Sequence, residues 1–302
     1  MLKLSYYRII FLFAGILINF QVSANFSGKA AEKFKDVAYA GVSSRQVMDI
    51  YLPEGEGPFP VVVLIHGGAF KMGDKGMETR NAEALVAKGY AAASINYRLS
   101  GEAKFPAQIE DCKAAVRFLR ANAAKFRLNP DKIGSWGASA GGNLSALLGT
   151  SAGIAELEGV GLGNSSYSSK VIASVDWFGP INFLTMDEEA SVLGFTIRTN
   201  SDSSPESQLI GKAIQSAPEL VKKANPSAYI TKDDAAFFIQ AGSNDRNIPY
   251  TQSRNFYDAL KKVLGEDKVS FELLEGAGHG GPQFSAPENI EKVIAFFDKY
   301  LK

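Results

Sequence analysis

Seven short runs rich in apolar and β-branched residues recur along this 302-residue chain, and longer amphipathic stretches separate most of them. The runs are VMDIYL (47–52), PVVVLIHG (60–67), YAAASINYRL (90–99), KIGSWGAS (132–139), VIASVDWFG (171–179), AFFIQAG (236–242) and VSFELLEGAG (269–278). A strand apolar along its whole length must be covered on both faces, which is the situation of a parallel sheet between helical layers. Residues 76–88, 107–126, 140–149, 249–264 and 287–301 carry the helical pattern that supplies those layers. The chain therefore reads as one α/β domain with a mostly parallel central sheet of about eight strands flanked by helices. VMDIYL alternates apolar and polar residues, the pattern of a strand with one wet face. Two segments interrupt the alternation. Residues 153–170 are Gly/Ser-rich and read as a surface loop; residues 180–230 form a longer insertion whose TNSDSSPESQ stretch (199–208) reads as a loop tip. An insertion of that length is either a lid over a site or a solvated decoration.

The N-terminus obeys different rules. Lys3 and Arg8 stand alone without an acid, Ile9 to Ile18 is uninterruptedly apolar, and QVSA ends in small residues. That is the layout of a secretory signal peptide over residues 1–24, with residues 25–302 as the mature domain, exported to the periplasm or beyond. The apolar run falls short of the roughly 20 residues a spanning helix requires, so no stable membrane anchor is expected. Lys+Arg and Asp+Glu both number 32, which leaves no electrostatic footprint for nucleic acid. The single cysteine, Cys112, rules out an intramolecular disulfide and sits in a helical pattern as a small core residue.

The chemistry-bearing residues gather at the carboxyl ends of the expected strands, where open α/β sheets place their ligands. Gly137-Ala138-Ser139-Ala140-Gly141 fits G-x-S-x-G between an expected strand and an expected helix. A serine exposed there takes a strained positive φ, and bulky neighbours two residues away would strike the adjoining elements. Only two histidines exist. His279, flanked by glycines in GAGHGG after the last strand, is placed to act as general base for Ser139. His66, in LIHGGAF, is expected to hold a turn whose Gly67 and Gly68 N–H groups, with that of Ala140, face a developing oxyanion. Asp245, in AGSNDRNIP, follows the penultimate strand and completes the order Ser, Asp, His. Asp233 and Asp234 lie at the wrong strand end and Glu275 inside a strand, so Asp245 is the acid chosen. Trp177 and Phe178, with His66, are candidate pocket residues, although neighbours on a strand face opposite ways and one of the aromatic pair belongs in the core. Asp176 and Arg98 read as structural. Two distant histidines offer no metal-ligand spacing, and no cofactor is expected.

Taken in order, HGGAF, GASAGG, GSNDRNIP and GAGHGG resemble the α/β-hydrolase superfamily. The longer stretches FPVVVLIHGGAF, PAQIEDCKAAVRFLRANA and LNPDKIGSWGASAGGNLSALLG are similar to bacterial esterases of the BD-FAE (feruloyl-esterase-like) group, neighbours of hormone-sensitive-lipase-like esterases. The resemblance spans roughly residues 36–302 and implies an α/β-hydrolase fold. It implies Ser139 as nucleophile, Asp245 and His279 as its partners, and Gly67, Gly68 and Ala140 as oxyanion donors. The substrate it implies is a small acyl ester or an acylated polysaccharide, acetyl- or feruloyl-hemicellulose among them; a general short-chain carboxylesterase, a serine peptidase and a non-catalytic binding module are the alternatives. One departure stands out. Ala69 occupies the third place of what is usually HGGG, and its Cβ makes a positive φ costly, which speaks against a wide oxyanion hole.

Overall fold

The computed structural model describes residues 30–302, so the expected signal segment lies outside the described residues. Eight strands form one sheet: β1 Glu32–Ala38, β2 Val47–Leu52, β3 Phe59–Ile65, β4 Ala91–Ile95, β5 Leu128–Ala138, β6 Ala173–Trp177, β7 Ala236–Gly242 and β8 Val269–Leu274. Their spatial order is β1-β2-β4-β3-β5-β6-β7-β8. The first two pairings are antiparallel and all the others parallel. The helices are α1 Thr79–Val86, α2 Ala107–Ala121, α3 Ala140–Thr150, α4 Met186–Val192, α5 Pro205–Ile210, α6 Pro218–Lys223, α7 Tyr250–Leu264, α8 Pro282–Ser285 and α9 Pro287–Leu301. None among the described residues is long and apolar enough to cross a membrane.

The pleat divides the core in two. Val61, Val63 and Ile65 of β3 point into one cluster with Ile109 and Cys112 of α2, Leu144 of α3 and Phe256 of α7. Val62 and Leu64 point into the other, with Leu85 of α1 and Val293 and Phe297 of α9. Strands β4, β6 and β7 are buried at every residue, as central strands covered on both faces are, their few polar residues included. Helix α3 is also buried at every residue, enclosed between sheet and insertion.

Three features differ from the sequence expectations or go beyond them. β2 is not a half-wet strand: it lies between β1 and β4, and its polar Asp49 is buried against Lys33 and Lys75. β1, absent from the sequence reading, is a mostly exposed edge strand, and its EKFKDVA sequence is of the charged kind that discourages edge-to-edge pairing. The 180–230 insertion is not a solvated decoration. It carries α4, α5 and α6, and Phe183, Met186, Leu209, Ile214 and Val221 join the main core. The last four residues of the expected loop tip belong to α5, started by Ser204 capping the Ser207 N–H with Pro205 in the first turn. Gln252 of α7 clamps the insertion's start, accepting from the Ile181 and Asn182 N–H groups and donating to Glu189.

Candidate active site

β5 runs straight into α3, and Ser139 is the residue between them. Its φ of 56° and ψ of −122° fall outside the wells an L-residue prefers, a strain of about 1–3 kcal/mol. Two hydrogen bonds hold it there. The Ser139 N–H donates to Trp177 O on β6 at 2.9 Å, and the Asn143 N–H donates to Ser139 O at 3.1 Å. The surrounding small residues have a steric reason. A Cβ on Gly137 would lie 2.0 Å from Gly141 O, and one on Gly141 would lie 2.0 Å from Ile65 O. Strand and helix meet at a separation that admits no side chain on the inner side of the turn.

Asp245 and His279 reach the serine from two neighbouring loops tied by backbone bonds. Ser243 N–H donates to Leu274 O at 3.1 Å and Asn244 N–H to Ala277 O at 2.9 Å, which aligns the end of β7 with the end of β8. Asp245, 3% exposed, accepts through Oδ1 from the N–H groups of Asn247 and Ile248 at 2.8 and 3.0 Å. Its Oδ2 lies 2.7 Å from His279 Nδ1, and His279 Nε2 lies 2.9 Å from Ser139 Oγ. The carboxylate places the imidazole proton on Nδ1, which leaves Nε2 to accept the serine proton. The edge of Phe178 packs on the His279 ring, centroids 4.8 Å apart, and limits where that ring can swing.

The turn after β3 faces the serine from the other side. His66 is fully buried; its Nδ1 donates to Gly67 O at 2.6 Å, its ring stacks on Tyr97 at 4.4 Å, and its carbonyl accepts from Tyr97 Oη at 3.0 Å. Burial pulls the imidazole down to about 4, so the ring is neutral at ordinary pH and works as a fixed brace. Gly67 sits so close to the serine turn that a Cβ on it would meet Ala138 O at 3.0 Å. The N–H groups of Gly67, Gly68 and Ala140 take no backbone or side-chain acceptor among the described residues, the last because it opens α3. Ala69 adopts φ 54°, and Phe70 φ 59°, so the turn keeps a left-handed backbone despite both Cβ atoms.

A cavity of about 390 Å³ opens above Ser139 and His279. Ala69, Phe70, Ala140 and Ile248 line its near side, and the insertion supplies the far wall through Met186, Ile197, Arg198, Thr199, Ser204 and Glu206. The candidate pocket residues His66, Trp177 and Phe178 do not line it. Trp177 is 5% exposed and packs between Trp136 and Phe284; Phe178 touches His279 from behind. The far wall was missed in the sequence, because no periodicity marks residues 197–206 as facing a serine. Arg98, as read, is structural: it grips Asp111 with several hydrogen bonds of 2.8–3.0 Å. Asp176 is fully buried, accepts from the Gly179 N–H, and is pushed up to about 7 by desolvation. Cys112 is buried in the core, and burial pushes its thiol well above the usual range.

The BD-FAE family model matches residues 48–260. Esterase LipC of Mycobacterium tuberculosis is 30% identical over 228 residues, which cover 74% of this chain and 53% of LipC. The chain thus spans about half the length of the curated relatives it matches. A truncated carbohydrate esterase from gut microbiota superposes with a TM-score of 0.82 at 33% identity, covering 90% of this chain and 97% of that one. A bifunctional GH43-CE protein of Bacteroides eggerthii gives a TM-score of 0.80 at 36% identity, over 88% of this chain and 35% of that one.

Proposed function

The chain belongs to the BD-FAE family of the α/β-hydrolase fold, and from that membership and the site above we propose that it hydrolyses carboxylic esters through a covalent acyl-serine. The observation that carries this reading is the unbroken run of hydrogen bonds from Ser139 Oγ through His279 to the buried Asp245. Ser139 Oγ attacks the ester carbonyl carbon while its proton passes to His279 Nε2. The carbonyl electron pair moves onto oxygen, where the N–H groups of Gly67, Gly68 and Ala140 receive it at the start of α3. Collapse of that intermediate breaks the bond to the alcohol oxygen, and His279 returns the proton to the departing alkoxide. Water then repeats the sequence on the acyl-serine, with His279 again taking and returning the proton, and releases the acid. Asp245 holds the imidazole in the tautomer both halves need and stabilises the imidazolium between them.

The substrate we propose is an acylated hemicellulose, acted on after export through the residue 1–24 signal. The likeness to a carbohydrate esterase at 33% identity supports a carbohydrate ester. A cavity near the lower end of the roughly 300–1,000 Å³ usual for ligand pockets supports a short acyl group, acetyl before feruloyl. The similarity to esterase LipC favours a second reading, a general short-chain carboxylesterase.

The test measures acid release from acetylated xylan and from a feruloylated arabinose ester, beside p-nitrophenyl acetate and butyrate. Rates on acetylated xylan that rival the synthetic esters, all abolished in Ser139→Ala, are the expected result. Turnover confined to the p-nitrophenyl esters selects the second reading. Activity retained by Ser139→Ala removes the acyl-serine mechanism altogether.

A further inference from the structure

Arg198 stands apart from the other arginines of the described chain. Each of those has an acceptor or a ring to lie on: Arg98 grips Asp111, Arg117 bonds Glu158, Arg127 bonds Glu32, and Arg246 lies 4.9 Å from the Phe195 ring centre. Arg45, Arg80, Arg120 and Arg254 are likewise engaged. Arg198 is among the residues lining the cavity above Ser139, and its guanidinium has no hydrogen bond, ion pair or ring contact among the described residues. Its backbone, by contrast, is pinned. The Thr199 and Asn200 N–H groups donate to the two carboxylate oxygens of Asp187 at 2.7 and 3.2 Å, and the Ser201 N–H donates to Arg198 O at 3.1 Å. A cation presented by a fixed backbone, at the far wall of a site and without a direct ion-pair partner, is poised for an anion brought by the ligand.

Glu206 shares that wall without pairing to Arg198. Burial raises its carboxyl from the usual value, with the nearby Asp187 adding to that. Thr199, Ser204 and Asn247 complete a polar rim suited to hydroxyl groups, while Phe70, Met186 and Ile248 form the apolar part.

We propose that Arg198 selects esters that carry a carboxylate, holding that anion at the insertion wall while the ester carbonyl lies at Ser139. This rests on the ester-hydrolase reading and narrows it. The carboxylate enters from either of two sources, the alcohol as the acid group of a uronic sugar or the acyl group as the free end of a dicarboxylic half-ester. A guanidinium fork fits both.

Two matched pairs test the proposal, with p-nitrophenyl acetate as a common reference. One pair is acetylated methyl glucuronoside against acetylated methyl glucoside; the other is ethyl hydrogen adipate against ethyl hexanoate. In one pair the anionic member is expected to show a kcat/KM roughly tenfold above the neutral one, the scale of a single charge-assisted hydrogen-bonded pair. That ratio is expected to shrink as sodium chloride screens the exposed guanidinium. Arg198→Gln brings the ratio close to one, and Arg198→Lys keeps part of it, having the charge without the planar fork. Preference within the sugar pair assigns the carboxylate to the alcohol; preference within the adipate pair assigns it to the acyl group. Turnover of p-nitrophenyl acetate with both ratios at or below one overturns the proposal and leaves the hydrolase reading standing, as does a preference that survives Arg198→Gln. Absence of p-nitrophenyl acetate turnover overturns both.

Discussion

Gly137→Ala puts the geometry of the serine turn under direct strain, and the size of the effect follows from one distance. The new Cβ would lie 2.0 Å from Gly141 O and 2.3 Å from Gly141 C, where real Cβ atoms keep 3.0 Å or more. Both obstacles are backbone, so no side chain can swing away and the turn itself must move by about 1 Å, a change that overpacking series put at roughly 1–3 kcal/mol. At about 2–4 °C per kcal/mol for a domain of this size, the melting temperature falls by roughly 2–12 °C. The rate suffers more than the fold. Gly137 and Gly141 stand two residues either side of Ser139, and a 1 Å misplacement of Oγ from its 2.9 Å contact with His279 Nε2 costs on the order of a hundredfold in kcat. Thermal unfolding by circular dichroism and kcat on p-nitrophenyl acetate give the two readouts. Gly161→Ala is the control, because a Cβ there meets nothing within 4 Å. If Gly137→Ala melts and turns over like the control, close approach of strand and helix is not why the turn is built from small residues.

Asp245→Asn retains an oxygen for the Asn247 and Ile248 N–H groups but turns an amide toward His279, and kcat is expected to fall by roughly 10³–10⁴ with the fold intact; a loss below tenfold means another group orients the imidazole. Asp176→Asn separates burial from chemistry through pH. Desolvation raises the folded carboxyl from 3.8 to about 7, so the folded state keeps a proton that the unfolded chain releases. The contribution of Asp176 to stability is therefore fully present below about pH 4 and is lost as pH rises to about 7. Relative to wild type, Asp176→Asn gains stability between pH 4 and pH 8, by no more than about 4 kcal/mol. Urea unfolding at both pH values measures this, and an unchanged difference removes burial as the cause.

What could be read from the sequence was the part governed by short stretches. β3, β6 and β7 were legible because strands buried on both faces are dominated by apolar and small residues. That Ser139, Asp245 and His279 come together was legible because each stands in a turn just beyond a parallel strand, and strands in register deliver such turns to one edge of the sheet. β1 was not, since a charged edge strand has the composition of a loop. The reading of Trp177 and Phe178 failed for an instructive reason. Alternation assigns adjacent strand residues to opposite faces, but β6 ends at Trp177, and Phe178 turns away with φ 43°. Both rings consequently meet Phe284, at 5.4 and 4.5 Å, and both join the aromatic cluster behind His279. The far wall of the cavity was the least legible. Arg198 reaches the site only because the insertion folds back through Gln252, Glu189 and Asp187, contacts made across 12 to 71 residues of sequence. The reacting groups sit on local motifs that the sheet aligns, whereas the groups facing the rest of the substrate depend on packing between distant segments. A change in this insertion is therefore expected to alter what the cavity admits, while the Ser139 turn, bounded by backbone on both sides, tolerates almost no change.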